Sequence, residues 1–166
     1  MAISNSEGHL VLATGNKSEL ACGYSTVYGD SVGAYAPIKD VLKVDVWELA
    51  RWRNAYAESQ GETPPIPQQS IDKEPSAELR PDQKDTDSLP PYPVLDELLT
   101  LYVEQDIDAA ELIAAGHDSA LVKKVVRMVD ASEWKRRQYP PGPKVSRLAF
   151  GRDRRLPITA HPPVTE

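Results

Sequence analysis

The chain has 166 residues, 40% of them hydrophobic and 27% charged, which is enough for one modest core and ordinary for a soluble globular protein. No apolar run approaches the ~18 residues needed to span a bilayer, and the N-terminus lacks the basic and apolar regions of a secretory signal. A lone cysteine, Cys22, excludes an internal disulfide and a cysteine-based zinc cluster and fits a reducing cytoplasm; His9, His117 and His161 are scattered without metal-binding spacing. The net charge of -6 is unevenly spread: from Lys123 onward there are 11 Lys and Arg against 4 Asp and Glu, and before it 8 against 21. Such a basic C-terminal part calls for an anionic partner, either phosphates, nucleic acid or the acidic half of its own chain.

In chain order, His9 to Ala13 reads as a short buried strand stopped at Gly15. Asn16 with Glu19 three residues on has the form of a capping box, and predicts a helix to about Thr26. After a loop marked by Gly29 and Gly33, a second helix is expected from about Val41 to Glu58. Its inner face would be Leu42, Val46, Leu49 and Ala50, flanked by Trp47 and Trp52. Residues 61–93 hold eight of the fifteen prolines and predict little regular structure, as in a linker or a functional loop.

Three short helices follow. Pro93 suits the first turn of a helix carrying Leu95, Leu98, Leu99 and Tyr102. Asp108 and Glu111 form a second capping box, closed by Gly116. Asp118 caps a third helix with an apolar stripe of Leu121, Val122, Val125, Val126 and Val129 and with Lys123, Lys124 and Arg127 outside. Residues 139–166, with six more prolines, read as a basic extended tail without a core of its own. One strand is too few for an α/β domain, so the pattern describes either a small helical domain or the last piece of a larger α/β one.

Thr14 and Glu19 stand at the strand-to-helix junction. Open α/β folds gather ligands at that place, helix-start N–H groups favour an anion there, and a carboxylate one turn in suits Mg²⁺; the same residues also serve as plain helix caps. Trp47, Trp52 and Trp134 read as packing residues, and Cys22 as a small core residue.

The segments "ATGNKSELACGYSTVYGDSVGAYAPIKDVLKVDVWELARW", "KEPSAELRPDQKDTDSLPPYPVLDELL" and "EWKRRQYPPGPKVSRLAFGRDRRLPI" resemble, in this order, the late synthetase part of glutamine-dependent NAD⁺ synthetases. The resemblance implies the C-terminal part of a Rossmann-like, three-layer α/β domain of the adenine nucleotide alpha hydrolase-like kind, mostly helical within this chain. It divides the sequence into a nucleotide-site segment (1–60), a Pro-rich substrate loop (61–93), C-terminal helices (94–138) and the basic tail (139–166). It implies an ATP-dependent carbon–nitrogen ligase in which ATP adenylates deamido-NAD⁺ and glutamine-derived ammonia displaces AMP. By resemblance, Thr14 contacts ATP; Lys43 and Ser76 meet its phosphates, with Lys43 in the catalytic role; Glu19 lies at the Mg²⁺ and deamido-NAD⁺ site; Asp30 and Lys135 meet deamido-NAD⁺.

Departures from that family pattern shape the expectation. The glycine-rich SGGxDS loop and the nitrilase-like glutaminase domain with its Glu-Lys-Cys triad are absent from this chain; Val44 follows Lys43 where Thr is usual, and Trp134 stands where shorter relatives have His. The chain is therefore expected to be inactive alone, with the rest of the synthetase domain and a glutaminase domain as partners, a homo-oligomeric and cytoplasmic setting, and neither nucleic acid nor membrane as ligand. The alternative is a non-catalytic, dimerising remnant of a synthetase domain. A helix-turn-helix reading of 108–130 fails on its scarcity of base-reading side chains and on the acidic remainder.

Overall fold

The computed structural model describes residues 1–159; the end of the expected tail, with His161, lies outside them. In chain order the helices are α1 (Ala2–Glu7), α2 (Lys17–Cys22), α3 (Lys43–Ser59), α4 (Gln68–Asp72), α5 (Tyr92–Leu99), α6 (Ala109–Ala114), α7 (Ser119–Ala131) and α8 (Glu133–Arg136). No helix among the described residues is long and apolar enough to cross a membrane.

The capping signals hold. Asn16 and Glu19 exchange side-chain and backbone bonds at the start of α2, Asp108 and Glu111 do the same for α6, and Asp118 accepts from the Leu121 N–H at 2.8 Å to start α7. The apolar stripe of α7 buries Val122, Val125 and Val129 against α5, whose Leu95, Leu98 and Leu99 are also buried. α5 runs on into a π-helical turn at Thr100–Glu104 that keeps Val103 in the core. Leu20 and Ala21 of α2 complete this centre.

Several expectations need correction. The strand at His9–Ala13 is a single parallel bridge, Leu12 to Tyr35, held by Ala13 N–H to Tyr35 O and Ala34 N–H to Val11 O. Leu10 and Leu12 are exposed, because no further strand lies beside them among the described residues. α2 stops at Cys22 rather than near Thr26: Gly23 adopts a left-handed conformation (φ 63°) and returns the chain. α3 turns Val44, Trp47 and Ala57 inward and leaves Leu49, Trp52 and Tyr56 exposed, so Leu49 is not on its inner face. Here local periodicity misled, because the helix is weakly amphipathic and what it packs against decides its inner side.

The Pro-rich segment is more ordered than its composition predicts. It carries α4 and a 3₁₀ turn at Asp85–Asp87, and Asn54 pins Ile66 by bonding both its N–H and its C=O. The described part of the tail is packed into the main core rather than hanging free. Tyr139, Ala149 and Phe150 are buried. Lys17, itself 1% exposed, reaches across with Nζ 2.6 Å from Ser146 Oγ, 2.9 Å from Leu148 O, 2.7 Å from Glu104 and 3.2 Å from Asp40. Asp40 answers by accepting from the Val145 and Ser146 N–H groups and the Ser146 hydroxyl. Part of the basic excess after Lys123 is also held inside the chain: Arg154 lies 3.7 Å from Asp130 and stacks 4.5 Å from the Tyr102 ring.

Candidate functional site

A polar cavity of about 310 Å³ opens at the start of α2, lined by Thr14, Glu19, Asp30, Lys43, Ser76 and Asp85 among others. Five of the six residues singled out above therefore share one cavity. The sixth, Lys135, lines an adjoining cavity of about 260 Å³ that has Tyr24, Asp30 and Ala77 in common with the first.

Each is positioned by local structure. Thr14 is exposed at the rim, just before the capped turn. Glu19 has both oxygens engaged: Oε2 accepts from the Asn16 N–H at 3.1 Å and Oε1 lies 3.2 Å from Lys43 Nζ. Lys43, the first residue of α3, holds its ammonium over the Tyr92 and Trp47 rings at 5.5 and 6.0 Å. Neither member of the Glu19–Lys43 pair is exposed, so Lys43 is not the freely solvated helix-end charge that its position alone would give. Asp30 closes a turn, accepting from the Thr26 N–H at 2.9 Å. Ser76 accepts from the Glu78 N–H at 3.1 Å, within a loop that folds back on itself through ion pairs between Lys73 and Glu78 and between Lys84 and Glu74.

Lys135 is set by α8. Its neighbour Arg136 is buried and donates to Ala21 O at 2.8 Å and Val129 O at 2.7 Å, fastening α8 to the ends of α2 and α7. Lys135 then donates to Gly23 O at 2.6 Å and Ser25 O at 2.9 Å. Carbonyls at the end of α2 thus receive two cations, as the helix dipole favours.

Three ionisable cavity residues escaped sequence reasoning: Tyr24, Glu78 and Asp85. Asp85 is buried; one carboxylate oxygen accepts from the Tyr92 hydroxyl at 2.7 Å, and the other, Oδ1, has no partner. Burial, followed by the Asp85 carboxylate, pushes the phenols of Tyr24 and Tyr92 above the usual tyrosine range. The Asp85–Tyr92 spacing of seven residues was the only signal, and it is invisible without the fold of the loop. Cys22 is buried behind the site, with its thiol pushed up to about 12 chiefly by burial, which rules against a nucleophilic role.

Comparisons with known proteins place the sequence and fold. The chain is 55% identical over 95% of its length to the glutamine-dependent NAD(+) synthetase of Acinetobacter baylyi and 55% identical over 96% to that of Xanthomonas campestris pv. campestris. It spans 28% of the length of each. The crystal structure of a glutamine-dependent NAD(+) synthetase from Cytophaga hutchinsonii superposes with a TM-score of 0.74 over 96% of this chain and 26% of that one, at 22% identity, so the fold is shared. The helices and the Leu12–Tyr35 bridge are thus a portion of that synthetase's fold. The sequence model of the NAD synthase family matches residues 1–139, and on that match the chain belongs to the NAD synthase family.

Proposed function

We propose that the chain forms one wall of the ATP and deamido-NAD⁺ site of a glutamine-dependent NAD⁺ synthetase. The observation that carries this reading is the convergence of Thr14, Glu19, Asp30, Lys43 and Ser76 on one cavity, with Lys135 on the next. In the proposed reaction the nicotinate carboxylate attacks the α-phosphate of ATP and pyrophosphate leaves. Ammonia then attacks the activated carbonyl and AMP leaves. A free carboxylate is a poor electrophile; the adenylate gives it a good leaving group.

In this reading Lys43 balances charge on the phosphates as a compact cation, held ready by Glu19 and by the two aromatic faces. Thr14 and Ser76 offer hydroxyls to the same cavity. Lys135 and Asp30 border the adjoining cavity and take the dinucleotide. Mg²⁺ would be held by Glu19, and it would neutralise phosphate charge. No group of three or more His, Cys, Asp or Glu that could hold a metal occurs among the described residues. Mg²⁺ commonly takes only one or two protein carboxylates, and Glu19 would offer it one alongside its bonds to Lys43 and Asn16. The unpartnered Asp85 oxygen in the same cavity fits a hard cation or a hydrogen-bond donor.

The chain carries no SGGxDS phosphate loop, so by itself it is proposed to be inactive. The rest of the synthetase domain and a glutaminase domain are its proposed partners, within a cytoplasmic homo-oligomer. The exposed Leu49, Trp52 and Tyr56 of α3 give an apolar stripe for such association. The test is to supply ATP, Mg²⁺, deamido-NAD⁺ and ammonium to the chain alone and to a complete synthetase carrying this chain in place of its matching segment. NAD⁺ is expected only from the second. Robust NAD⁺ from the chain alone refutes the inactivity, and none from the joined synthetase refutes the functional reading.

A further inference from the structure

Lys43 sits at the first turn of α3, whose N-cap residue, Leu42, has no side chain able to accept a hydrogen bond. The opening N–H groups are instead satisfied from two other helices. The Lys43 N–H donates to Ser18 Oγ of α2 at 2.9 Å, and the Val44 N–H donates to Asp96 Oδ2 of α5 at 2.9 Å. The Ser18 hydroxyl donates in turn to Asp96 Oδ1 at 2.5 Å. Ser18 is fully buried and Asp96 nearly so. One carboxylate therefore accepts from both neighbouring helices. Tyr92, one turn before Asp96 on α5, lies under the Lys43 ammonium. Thus α5 meets the start of α3 in two ways: Asp96 takes the Val44 N–H and reaches the Lys43 N–H through Ser18, and the Tyr92 ring lies under the Lys43 ammonium.

A carboxylate buried without a cation bound to it is costly, and an apolar residue of similar size would ordinarily pack there at less cost. What it gains here is geometry: the positive end of α3 is drawn onto it, and Ser18, adjacent to Glu19, is fixed by the same group. We propose that Asp96 is a positioning residue of the site, setting Lys43 of α3 against Glu19 of α2 through Ser18 and the first two N–H groups of α3. The inference rests on the reading of the cavity as a nucleotide site only for its consequence in catalysis; the positioning itself is independent of any ligand. Burial also holds the Asp96 carboxyl above the usual aspartate range, against the opposing hydrogen bonds from Ser18 and Val44.

The test uses the full chain, with hydrogen exchange followed residue by residue by NMR in the parent, Asp96→Asn and Ser18→Ala. Asp96→Asn is expected to lower protection of the Lys43 and Val44 amides about tenfold or more, while Val125 and Val129 of α7 keep theirs. Ser18→Ala is expected to expose the Lys43 amide and to spare Val44, a pattern that a general loss of stability does not produce. Unchanged protection at Lys43 and Val44, or a uniform fall that includes α7, overturns the proposal; if Asp96→Asn fails to fold, the Ser18→Ala pattern decides. In a complete synthetase carrying the chain, Asp96→Asn is expected to lower kcat more than it alters KM for deamido-NAD⁺. If Lys43→Met leaves that synthetase unaffected, the nucleotide reading fails while the exchange result stands. If Lys43→Met abolishes the rate and Asp96→Asn alters neither rate nor exchange, the positioning role fails.

Discussion

Replacing Lys17 by Met should cost more than any other single loss of charge in the chain. The Lys17 ammonium is 1% exposed and meets four oxygens within 3.2 Å: Glu104, Ser146, Leu148 O and Asp40. Met fills much of the same volume, so the expected loss is electrostatic rather than a cavity. Asp40 is then a buried carboxylate without its cation, although it keeps three hydrogen bonds from Val145 and Ser146. Glu104 is partly exposed and can turn to water. Breaking a buried pair on one side costs about 3–5 kcal/mol. For a chain of this size that is about 10 °C or more in Tm. Urea unfolding followed by circular dichroism would measure it, with Asp40→Asn and the double variant completing a cycle. The double variant should be less destabilised than the sum of the two singles. A loss below about 1 kcal/mol for Lys17→Met, or strict additivity, would refute the idea that this cluster fastens the tail to α2.

Other outcomes follow from the same structure. Asp40 is shifted up by burial and, more strongly in sum, down by its bonds from Ser146 and Val145 and by Lys17, so its carboxyl lies below the usual aspartate range. Its stabilisation is present above the unfolded value and lost as pH falls through the lower folded one; the urea midpoint should start to drop as pH falls through the ordinary aspartate range and go on falling below it, and Asp40→Asn should flatten that drop. Gly15 has the Tyr139 hydroxyl where a side chain would begin, 1.7 Å from an ideal Cβ, so Gly15→Ala should destabilise by about 1–3 kcal/mol. Tyr139→Phe removes a buried hydroxyl that has no partner and should be neutral or stabilising; a loss above about 1 kcal/mol would show that the hydroxyl is bonded. Cys22 should resist iodoacetamide near pH 8 in the folded chain and react in urea, and equal rates would contradict its burial.

What was legible in the sequence was local chemistry. The capping boxes at Asn16 and Asp108, the Asp118 cap and the α7 stripe depend on residues within a turn of one another, and each is found where the pattern puts it. What was not legible depends on distant partners. The inner side of α3 is chosen by the core it meets, which is why Leu49 is exposed and Val44 is not. The tail looked coreless because nothing near Ser146 in sequence reveals Lys17, 129 positions away. Thr14 and Glu19 were suggested by their junction alone. Lys43, Ser76 and Lys135 came from family resemblance, and only the fold brings them to adjoining cavities. Asp96 had no sequence signal and Asp85 only its spacing from Tyr92, since the roles of both arise from loop and helix packing.

The most direct test of the proposed site is the pair Lys43→Met and Lys135→Met in a complete synthetase carrying this chain, with steady-state rates measured against ATP and deamido-NAD⁺ separately. Lys43→Met should lower kcat by about 100-fold or more, as expected for a cation acting on transferring phosphoryl charge. Lys135→Met should act mainly through KM for deamido-NAD⁺ and leave KM for ATP in place. Parent-like kinetics for both variants, or an ATP defect from Lys135 with a dinucleotide defect from Lys43, would contradict the assignment of the two cavities.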